Sequence, residues 1–442
     1  MKRKITAKLY EWKNMKKGRM PLLIYGARQV GKTFEMREFG ALYYKNTVYV
    51  NFETDERIGK YFDTDIHADY IIAILEKYYQ VKIVPENTLI IFDEIQACPE
   101  ALNSLKYFCE DAPEYYVASA GSLLGIKLAQ GFPVGKVDFL EMGPMTFTEY
   151  LMADGSDNLA AYLSGINDFS PIPDAFFNPL IEKLKMYFVV GGMPEPVLVW
   201  TEDQDIRETD RVLSNIIMSY ENDFAKHAEP TDVPKIQLIW DSLPSQLARE
   251  NKKFLYSAVK DGARAREYEN ALNWLYNADL VRKTFRISKP GLPLSAYDDL
   301  TAFKIYMSDV GLLRKHSHLA TSAFAENNRL FTEFKGALTE NFVLQSLSRQ
   351  FETAPRYWTE TPYEVDFVVQ LDNDIIPVEC KAGTNVRATS LKKYSQQYQE
   401  QTTIMVRFSL MNLSFDGKVL NIPLFLADRT VDLVRLALDR NP

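Results

Sequence analysis

A chain of 442 residues is longer than one typical domain, so we expect two to four domains. Its hydrophobic share of 46% and charged share of 25% are those of a globular protein, and its net charge of −8 excludes binding to a polyanion by bulk charge, so a nucleic-acid face would have to be local. The three cysteines show no metal or redox spacing, the basic first residues precede no apolar segment, and no run approaches the roughly 20 apolar residues of a membrane span. We therefore expect a cytoplasmic protein without a signal peptide or membrane contact.

The first element is a short apolar strand at residues 22–24, which leads into a segment of the form G-x-x-x-x-G-K-[ST]. Its glycines let the loop wrap closely, and the loop N–H groups and the start of the next helix point at phosphates. Lys32 can reach the β- and γ-phosphates, and the Thr33 hydroxyl can ligate Mg²⁺. The pattern predicts that ATP and Mg²⁺ bind at Gly26, Ala27, Arg28, Gln29, Val30, Gly31, Lys32 and Thr33.

A second apolar run at residues 88–92 is typical of a buried parallel strand, and it ends in Asp93 and Glu94. A carboxylate at a strand end can hold Mg²⁺, and the next one can polarise the attacking water. This predicts an ATPase in which Asp93 is a metal ligand and Lys32 and Glu94 are catalytic. The alternative is a core strand followed by a solvated acidic turn, which the phosphate loop upstream disfavours.

A third strand, predicted at residues 115–118, leads to two serines. Ser119 and Ser122 are both candidates for sensing the γ-phosphate or positioning the water, and a plain strand-to-loop turn is the alternative.

Residues 1–150 alternate between strand and helix patterns, including a strand at 47–52 and a helix at 68–79. This alternation predicts an α/β fold with a doubly wound parallel sheet. Gly143 and Pro144 end the alternation, and the chain from about 147 to 230 has a helical pattern.

Residues 231–325 have the order of a winged helix-turn-helix. The predicted elements are helices at 235–243, 244–250 and 265–279, a strand at 280–287 and a strand near 303–307. Between Arg249 and Lys289, ten Lys or Arg residues stand against five Asp or Glu residues, a local net charge of +5. This is a candidate footprint for a nucleic-acid backbone, with contacts from Arg264, Arg266, Arg282, Lys283 and Arg286. The alternative is a winged helix used for packing or protein contact, and Glu267 and Glu269 on the presumed recognition helix favour it.

The last segment, residues 326–442, has a second chemical pattern. The predicted elements are a helix at 337–347, strands at 363–370 and 375–381, and a helix beginning near 389. Asp366 and Glu379 on paired strands, with Glu340 nearby, could hold Mg²⁺, while Lys381 shares a strand face with Glu379 and orients or activates a water. This is the Asp…Glu-x-Lys arrangement of restriction-type nucleases. The alternative is a hairpin with buried charges that no longer cleaves anything.

Several runs of residues, taken in chain order, together resemble one known family. They are residues 21–33, 91–96, 121–122, 144–149, 187–194, 223–227, 242–246, 364–367 and 378–381. The chain resembles the bacterial and archaeal group of AAA-type P-loop ATPases with a C-terminal restriction-endonuclease-like domain of unknown function. The resemblance implies an AAA-type core at 1–150, a helical lid at 151–230, a winged helix at 231–325 and a restriction-endonuclease-like α/β domain at 326–442. It implies no particular substrate.

One stretch departs from the general AAA pattern. Residues 121–142 contain no Arg where a trans-acting arginine finger would be sought, and Lys127 and Lys136 lie there instead. Such a finger contributes several orders of magnitude in rate, so fast hydrolysis in a ring is not expected from this segment alone.

Two functions from different classes follow. The first is an ATPase whose nucleotide state controls a module directed at DNA or RNA, with nuclease activity as a further expectation. The second is an ATP-dependent switch or scaffold, in which the winged helix and the nuclease-like domain are protein-interaction surfaces without catalysis.

Overall fold

The computed structural model describes residues 1–121, 135–249, 252–324, 332–383 and 389–440, with the backbone alone for residues 332 and 333. The chain divides into two compact units. The first contains Met1–Gly143 with Asn277–Asp279, and the second contains Pro144–Tyr276 with Leu280–Pro442. All three cysteines are free thiols. In the described parts of the chain, every helix is too short or too polar to cross a membrane.

The first unit is an α/β structure around one parallel sheet. Its strands are β1 Leu22–Tyr25, β2 Asn46–Asn51, β3 Thr88–Asp93, β4 Tyr116–Gly121 and β5 Asp138–Glu141. They lie in the order β2-β3-β4-β1-β5, and each neighbouring pair is parallel. The main helices are Ile5–Lys13, Lys32–Tyr43, Glu56–Phe62, Ala68–Tyr79 and Pro99–Glu110. The α/β prediction with a parallel P-loop core is confirmed.

The sequence explains why β3 lies inside this sheet. All residues of β3 are buried, as expected for a strand covered on both faces. The helix Ala68–Tyr79 has the bounds that its pattern predicts, and it buries Ile71 and Leu75 in the same core. Because parallel strands end at the same edge of a sheet, β1 and β3 deliver the phosphate loop and Asp93 to one edge.

The second unit begins with helices and contains a second sheet. Its helices are Phe147–Ala153, Asp157–Gly165, Asp174–Val190, Pro194–Asp203, Ile206–His227, Val233–Leu247, Tyr256–Val259, Ala265–Asn277, Val310–His316, Thr332–Leu347, Thr389–Gln397 and Thr430–Asp439. The helical pattern predicted between about 147 and 230 therefore corresponds to five helices, which end at His227.

The break predicted between residues 243 and 244 is wrong, because one helix, Val233–Leu247, runs through Pro244. Proline removes one backbone donor from a helix, but that loss is local. Ile236 and Trp240 before the proline and Leu247 after it are buried, and this packing holds the helix together on both sides of Pro244.

The second sheet joins the predicted wing to the C-terminal strands. Its strands are β6 Val281–Ile287, β7 Asp298–Met307, β8 Arg356–Glu360, β9 Tyr363–Leu371, β10 Asp374–Cys380, β11 Met405–Ser409, β12 Ser414–Phe415 and β13 Val419–Pro423. Their order is β12-β13-β11-β10-β9-β8-β6-β7. β6 and β7 form the predicted antiparallel hairpin, and Arg286 of β6 pairs with Tyr357 of β8. The hairpin is therefore the edge of an eight-stranded sheet and not a separate wing.

The Gly191-Gly192 pair is a packing junction of the second unit. Gly191 has φ +78°, and a Cβ there would lie 2.2 Å from Asp309 Oδ1. The Gly192 N–H donates to Asp309 Oδ2 at 2.7 Å, and the Gly192 carbonyl accepts from the Met145 N–H. Gln345 Nε2 also donates to Asp309 at 3.3 Å. Burial raises the pKa of Asp309, and these donors oppose that rise. The glycines thus serve close backbone packing.

Candidate functional site

The phosphate loop connects β1 to the helix Lys32–Tyr43, and its glycines are required by its shape. Gly26 has φ +146°, and a Cβ at this position would lie 2.0 Å from the Met142 carbonyl oxygen. Gly31 has φ +96° and is the residue just before the helix. Gln29 is also left-handed, with φ 65°. These turns wrap the loop over the helix N-terminus, which is the geometry that binds phosphate through backbone N–H groups.

Lys32 is buried inside this loop. Its Nζ donates to the carbonyl oxygens of Gly26 at 3.0 Å and of Ala27 at 2.8 Å, and the residue is 8% exposed. Burial lowers the pKa of Lys32 to about 8, and the carboxylates of Glu94 and Asp93 partly offset this effect. Lys32 and both acids therefore lie within electrostatic reach of one another, as the sequence predicts for one site.

Asp93 and Thr33 supply oxygen atoms of the kind that Mg²⁺ prefers. Asp93 is buried at the end of β3, where Oδ2 accepts from the Tyr49 hydroxyl at 2.7 Å and Oδ1 accepts from the Glu94 N–H at 3.1 Å. Thr33 is the second residue of the helix Lys32–Tyr43 and is partly exposed. A carboxylate and a hydroxyl at this edge fit a magnesium ion held beside a phosphate.

Glu94 has an unusual backbone and a partner that sequence reasoning missed. Its φ of 49° places it in the left-handed region, which a residue other than glycine adopts only when its surroundings impose it. Its Oε2 accepts from Gln96 Nε2 at 2.5 Å. Gln96 therefore fixes the orientation of the predicted catalytic carboxylate. The signal was present in the sequence, because Gln96 lies only two residues after Glu94.

The two predicted serines have different outcomes. Ser119 lies inside β4, in register with Leu23 of β1 and Phe92 of β3, and is fully buried. Its hydroxyl has no hydrogen-bond partner among the described residues. Ser122 lies outside the described residues, as does Lys127. Lys136 is described, and its Nζ pairs with Glu110 at 2.9 Å.

The five residues predicted to contact nucleic acid differ in how exposed their side chains are. Arg264 and Arg266 are exposed at the start of the helix Ala265–Asn277. Lys283 donates to Asn273 at 2.6 Å, and Arg286 pairs with Asp299 at 2.5 Å, so both are engaged within the fold. Arg282 is half-buried on β6.

The structure brings the predicted C-terminal residues together. We call Glu340, Glu364, Asp366 and Glu379 the C-terminal acid cluster. Burial raises the pKa of Asp366, and the nearby carboxylate of Glu340 adds to that rise. Asp366 Oδ2 accepts from the Cys380 N–H at 2.7 Å. Lys381 Nζ pairs with Glu379 Oε1 at 2.9 Å, and this lysine also lies within electrostatic reach of Asp366.

Two further lysines, absent from the sequence prediction, enter the acid cluster. Lys252 Nζ pairs with Glu340 Oε1, and Lys304 Nζ pairs with Glu364 Oε1. Lys304 is fully buried, and Glu340 also accepts from the Tyr306 hydroxyl at 3.1 Å. No local pattern identifies these pairs, since Lys252 and Glu340 are 88 residues apart.

As placed, the cluster does not fit a bound divalent ion. One Glu340 carboxylate oxygen pairs with the Lys252 ammonium group, and the other accepts a hydrogen bond from the Tyr306 hydroxyl. Across the described ranges, no group of three or more His, Cys, Asp or Glu side chains is arranged to hold a metal. The assignment of Glu340, Asp366 and Glu379 as metal ligands remains a prediction that this arrangement does not support.

Comparison with known families agrees with the geometry of the first unit. Residues 18–151 match the family described as AAA domain, which makes this part of the chain an AAA-type P-loop domain. Residues 181–323 match a domain of unknown function, DUF8612, and residues 335–425 match another, DUF4143. These matches name no nuclease and no winged helix. No curated protein matches the sequence.

The search of solved structures found matches that include the following three. The Walker-type ATPase of Pyrococcus abyssi is 13% identical, with a TM-score of 0.42, over 70% of this chain and 94% of that one. The ORC1 protein of Aeropyrum pernix in complex with DNA is 13% identical, with a TM-score of 0.26, over 73% and 94%. AMPPCP-bound DnaA from Aquifex aeolicus is 13% identical, with a TM-score of 0.25, over 62% and 89%. At these scores the likenesses carry no functional information about this chain.

Proposed function

We propose that the first unit binds ATP with Mg²⁺ and hydrolyses it. The observation that carries this proposal is the placement of Lys32, buried in the phosphate loop, within electrostatic reach of Asp93 and Glu94 at the end of β3. The loop N–H groups bind the phosphates, and Lys32 leaves the carbonyls of Gly26 and Ala27 to neutralise phosphate charge. Thr33 and Asp93 would hold Mg²⁺, which would supply positive charge to offset that of the triphosphate.

In the same proposal Glu94 accepts the proton of the attacking water. Gln96 positions the Glu94 carboxylate, because its amide nitrogen donates to Glu94 Oε2 at 2.5 Å and so restricts rotation of the carboxylate. Ser119 and Ser122 remain candidates for contact with the γ-phosphate or the water. The hydroxyl of Ser119 is buried and has no hydrogen-bond partner among the described residues. This favours a functional role for Ser119 over a purely structural one.

ATP affinity is expected to fall as pH rises above about 8. The pKa of Lys32 is lowered to about 8, mainly by burial, and a bound triphosphate favours the charged ammonium, so binding takes up a proton. The dissociation constant should increase by up to roughly tenfold per pH unit once Lys32 is neutral in the free protein. Titration with a fluorescent ATP analogue near pH 7.5, 8.5 and 9.5 measures this.

Lys32→Arg is the matched control, because a guanidinium stays charged throughout this range. Its affinity should not depend on pH. A wild-type affinity that stays constant across the range, or one that falls equally in Lys32→Arg, would contradict the assignment of Lys32 to the phosphates.

For the second unit we propose that it responds to the nucleotide state as a switch or scaffold. The supporting observations are that the hairpin β6–β7 forms the edge of the larger sheet and that lysines neutralise the acid cluster. A hairpin that is paired into a larger sheet favours a structural role over insertion into a DNA groove. Carboxylates that are already paired with ammonium groups favour a structural role over cleavage of nucleic acid.

A module directed at DNA or RNA is the second candidate, and the exposure of Arg264 and Arg266 favours it. Charge reversal of both residues to Glu should then weaken binding to a labelled duplex and lower the dependence of log Kd on log salt concentration by roughly 0.9 per lost phosphate contact. Fluorescence polarisation at several salt concentrations measures both quantities.

The matched control is the reversal of Arg57 and Lys60, two exposed cations on the helix Glu56–Phe62, which should change neither quantity. If the wild-type chain binds neither duplex nor single strand at low salt, the switch proposal stands alone. Metal-dependent cleavage of DNA or RNA by the wild-type chain, lost in Asp366→Ala, would instead establish the nuclease.

A further inference from the structure

We propose that the ammonium group of Lys252 is the resident cation of the C-terminal acid cluster and occupies, at Glu340, the place that a divalent ion would need. This proposal concerns the second unit only and is independent of ATP binding and hydrolysis.

The first argument is the use of the Glu340 oxygens. Lys252 Nζ forms an ion pair with Glu340 Oε1, and the Tyr306 hydroxyl donates to Glu340 Oε2 at 3.1 Å. The Lys252 and Glu340 side chains are 14% and 7% exposed, so water competes little for this contact. A divalent ion bound by Glu340 would have to displace the ammonium group first, because two cations cannot share one buried carboxylate oxygen without strong repulsion.

The second argument is charge balance. Four carboxyl groups, Glu340, Glu364, Asp366 and Glu379, face three ammonium groups, those of Lys252, Lys304 and Lys381. Lys252 and Lys304 also act on Asp366, where their charges oppose the rise of its pKa. The three ion pairs compensate three of the four carboxyl groups without a metal ion. Buried charges persist only when they are compensated in this way.

The third argument is the origin of the lysines. Lys381 directly follows β10 and pairs with Glu379 of that strand, as the nuclease pattern expects, whereas Lys252 comes from the segment that follows the helix Val233–Leu247. Lys252 is therefore supplied by a different part of the second unit. Lys252, which lies 88 residues before Glu340 in the chain, therefore occupies an oxygen of the first carboxylate in the predicted metal set.

The test is Mn²⁺ binding to the nucleotide-free full-length chain, measured by electron paramagnetic resonance of the free ion. The wild-type chain should bind no Mn²⁺ that depends on Asp366. Lys252→Met, which keeps the side-chain length and removes the charge, should bind about one more Mn²⁺ ion per chain than the wild type. That gain should disappear in Lys252→Met combined with Asp366→Asn.

The control is Lys393→Met, which removes a lysine that is 37% exposed and 3.6 Å from Glu360 in the same unit. It should leave Mn²⁺ binding at the wild-type value. Wild-type binding as tight as that of Lys252→Met and lost in Asp366→Asn would overturn the proposal. A folded Lys252→Met chain that gains no Mn²⁺ binding would also overturn it.

If Lys252→Met does not fold, thermal unfolding of the double variant Lys252→Met, Glu340→Gln decides the question. Removing both charges of a resident pair eliminates the uncompensated carboxylate, so the double variant should recover folding. A double variant as unstable as Lys252→Met would show that Lys252 serves another partner and would refute the proposal.

Discussion

Replacing Glu94 with Gln is expected to leave ATP bound while phosphate release slows by about 10²–10⁴-fold. The amide keeps the shape of the side chain but cannot accept the proton of the attacking water. Glu94 lies directly after the buried Asp93 and is oriented by Gln96, so its loss should affect the chemical step more than binding. Single-turnover hydrolysis and filter binding of labelled ATP separate the two quantities.

Glu100→Gln is the matched control for this variant. Glu100 lies in the first turn of the helix Pro99–Glu110, where it accepts from Asn103 at 3.3 Å and has no role in the proposed chemistry. Its hydrolysis rate should equal that of the wild type. Turnover at the wild-type rate in Glu94→Gln would mean that another residue activates the water.

Lys32→Ala is expected to weaken ATP binding by roughly 10- to 150-fold, because a charge-assisted contact to phosphate contributes roughly 1.5–3 kcal/mol. In the free protein Lys32 Nζ donates to two loop carbonyls, so those oxygens lose a donor in the variant. Calorimetric titration with ATP and Mg²⁺ measures the affinity, and thermal unfolding of the free variant reports the effect on the loop itself.

Lys77→Ala serves as the control, since Lys77 is exposed near the end of the helix Ala68–Tyr79. Its affinity for ATP should be unchanged. An affinity of Lys32→Ala within twofold of the wild type would remove Lys32 from the phosphate site.

Local patterns were sufficient to predict the phosphate loop and four of the five described strands of the first unit. The glycines of the phosphate loop are set by backbone geometry within a few residues, and β3 is recognisable because a central parallel strand is apolar throughout. The helix Ala68–Tyr79 was predicted with its observed bounds, because its apolar spacing is strongly periodic. Gln96 was missed although it lies only two residues after Glu94, because closeness in sequence alone does not show which polar side chain contacts the carboxylate.

The second unit shows where local patterns fail. The elements of the hairpin were predicted, but its pairing through Arg286 and Tyr357 depends on a contact between distant strands. The predicted helix break at Pro244 is wrong, because buried residues on both sides outweigh one lost hydrogen bond. Lys252 and Lys304 entered the acid cluster from distant segments, and charge pairing of this kind leaves no periodic signal in the sequence.

Determination of the structure with Mg²⁺ and a non-hydrolysable ATP analogue tests the central claim most directly. The account predicts phosphates against the loop N–H groups of residues 26–33, with Lys32 Nζ moved from the Gly26 and Ala27 carbonyls to the phosphates and the metal between Thr33 and Asp93. A nucleotide bound elsewhere, or phosphates in the loop with Lys32 still donating to those two carbonyls, would contradict it.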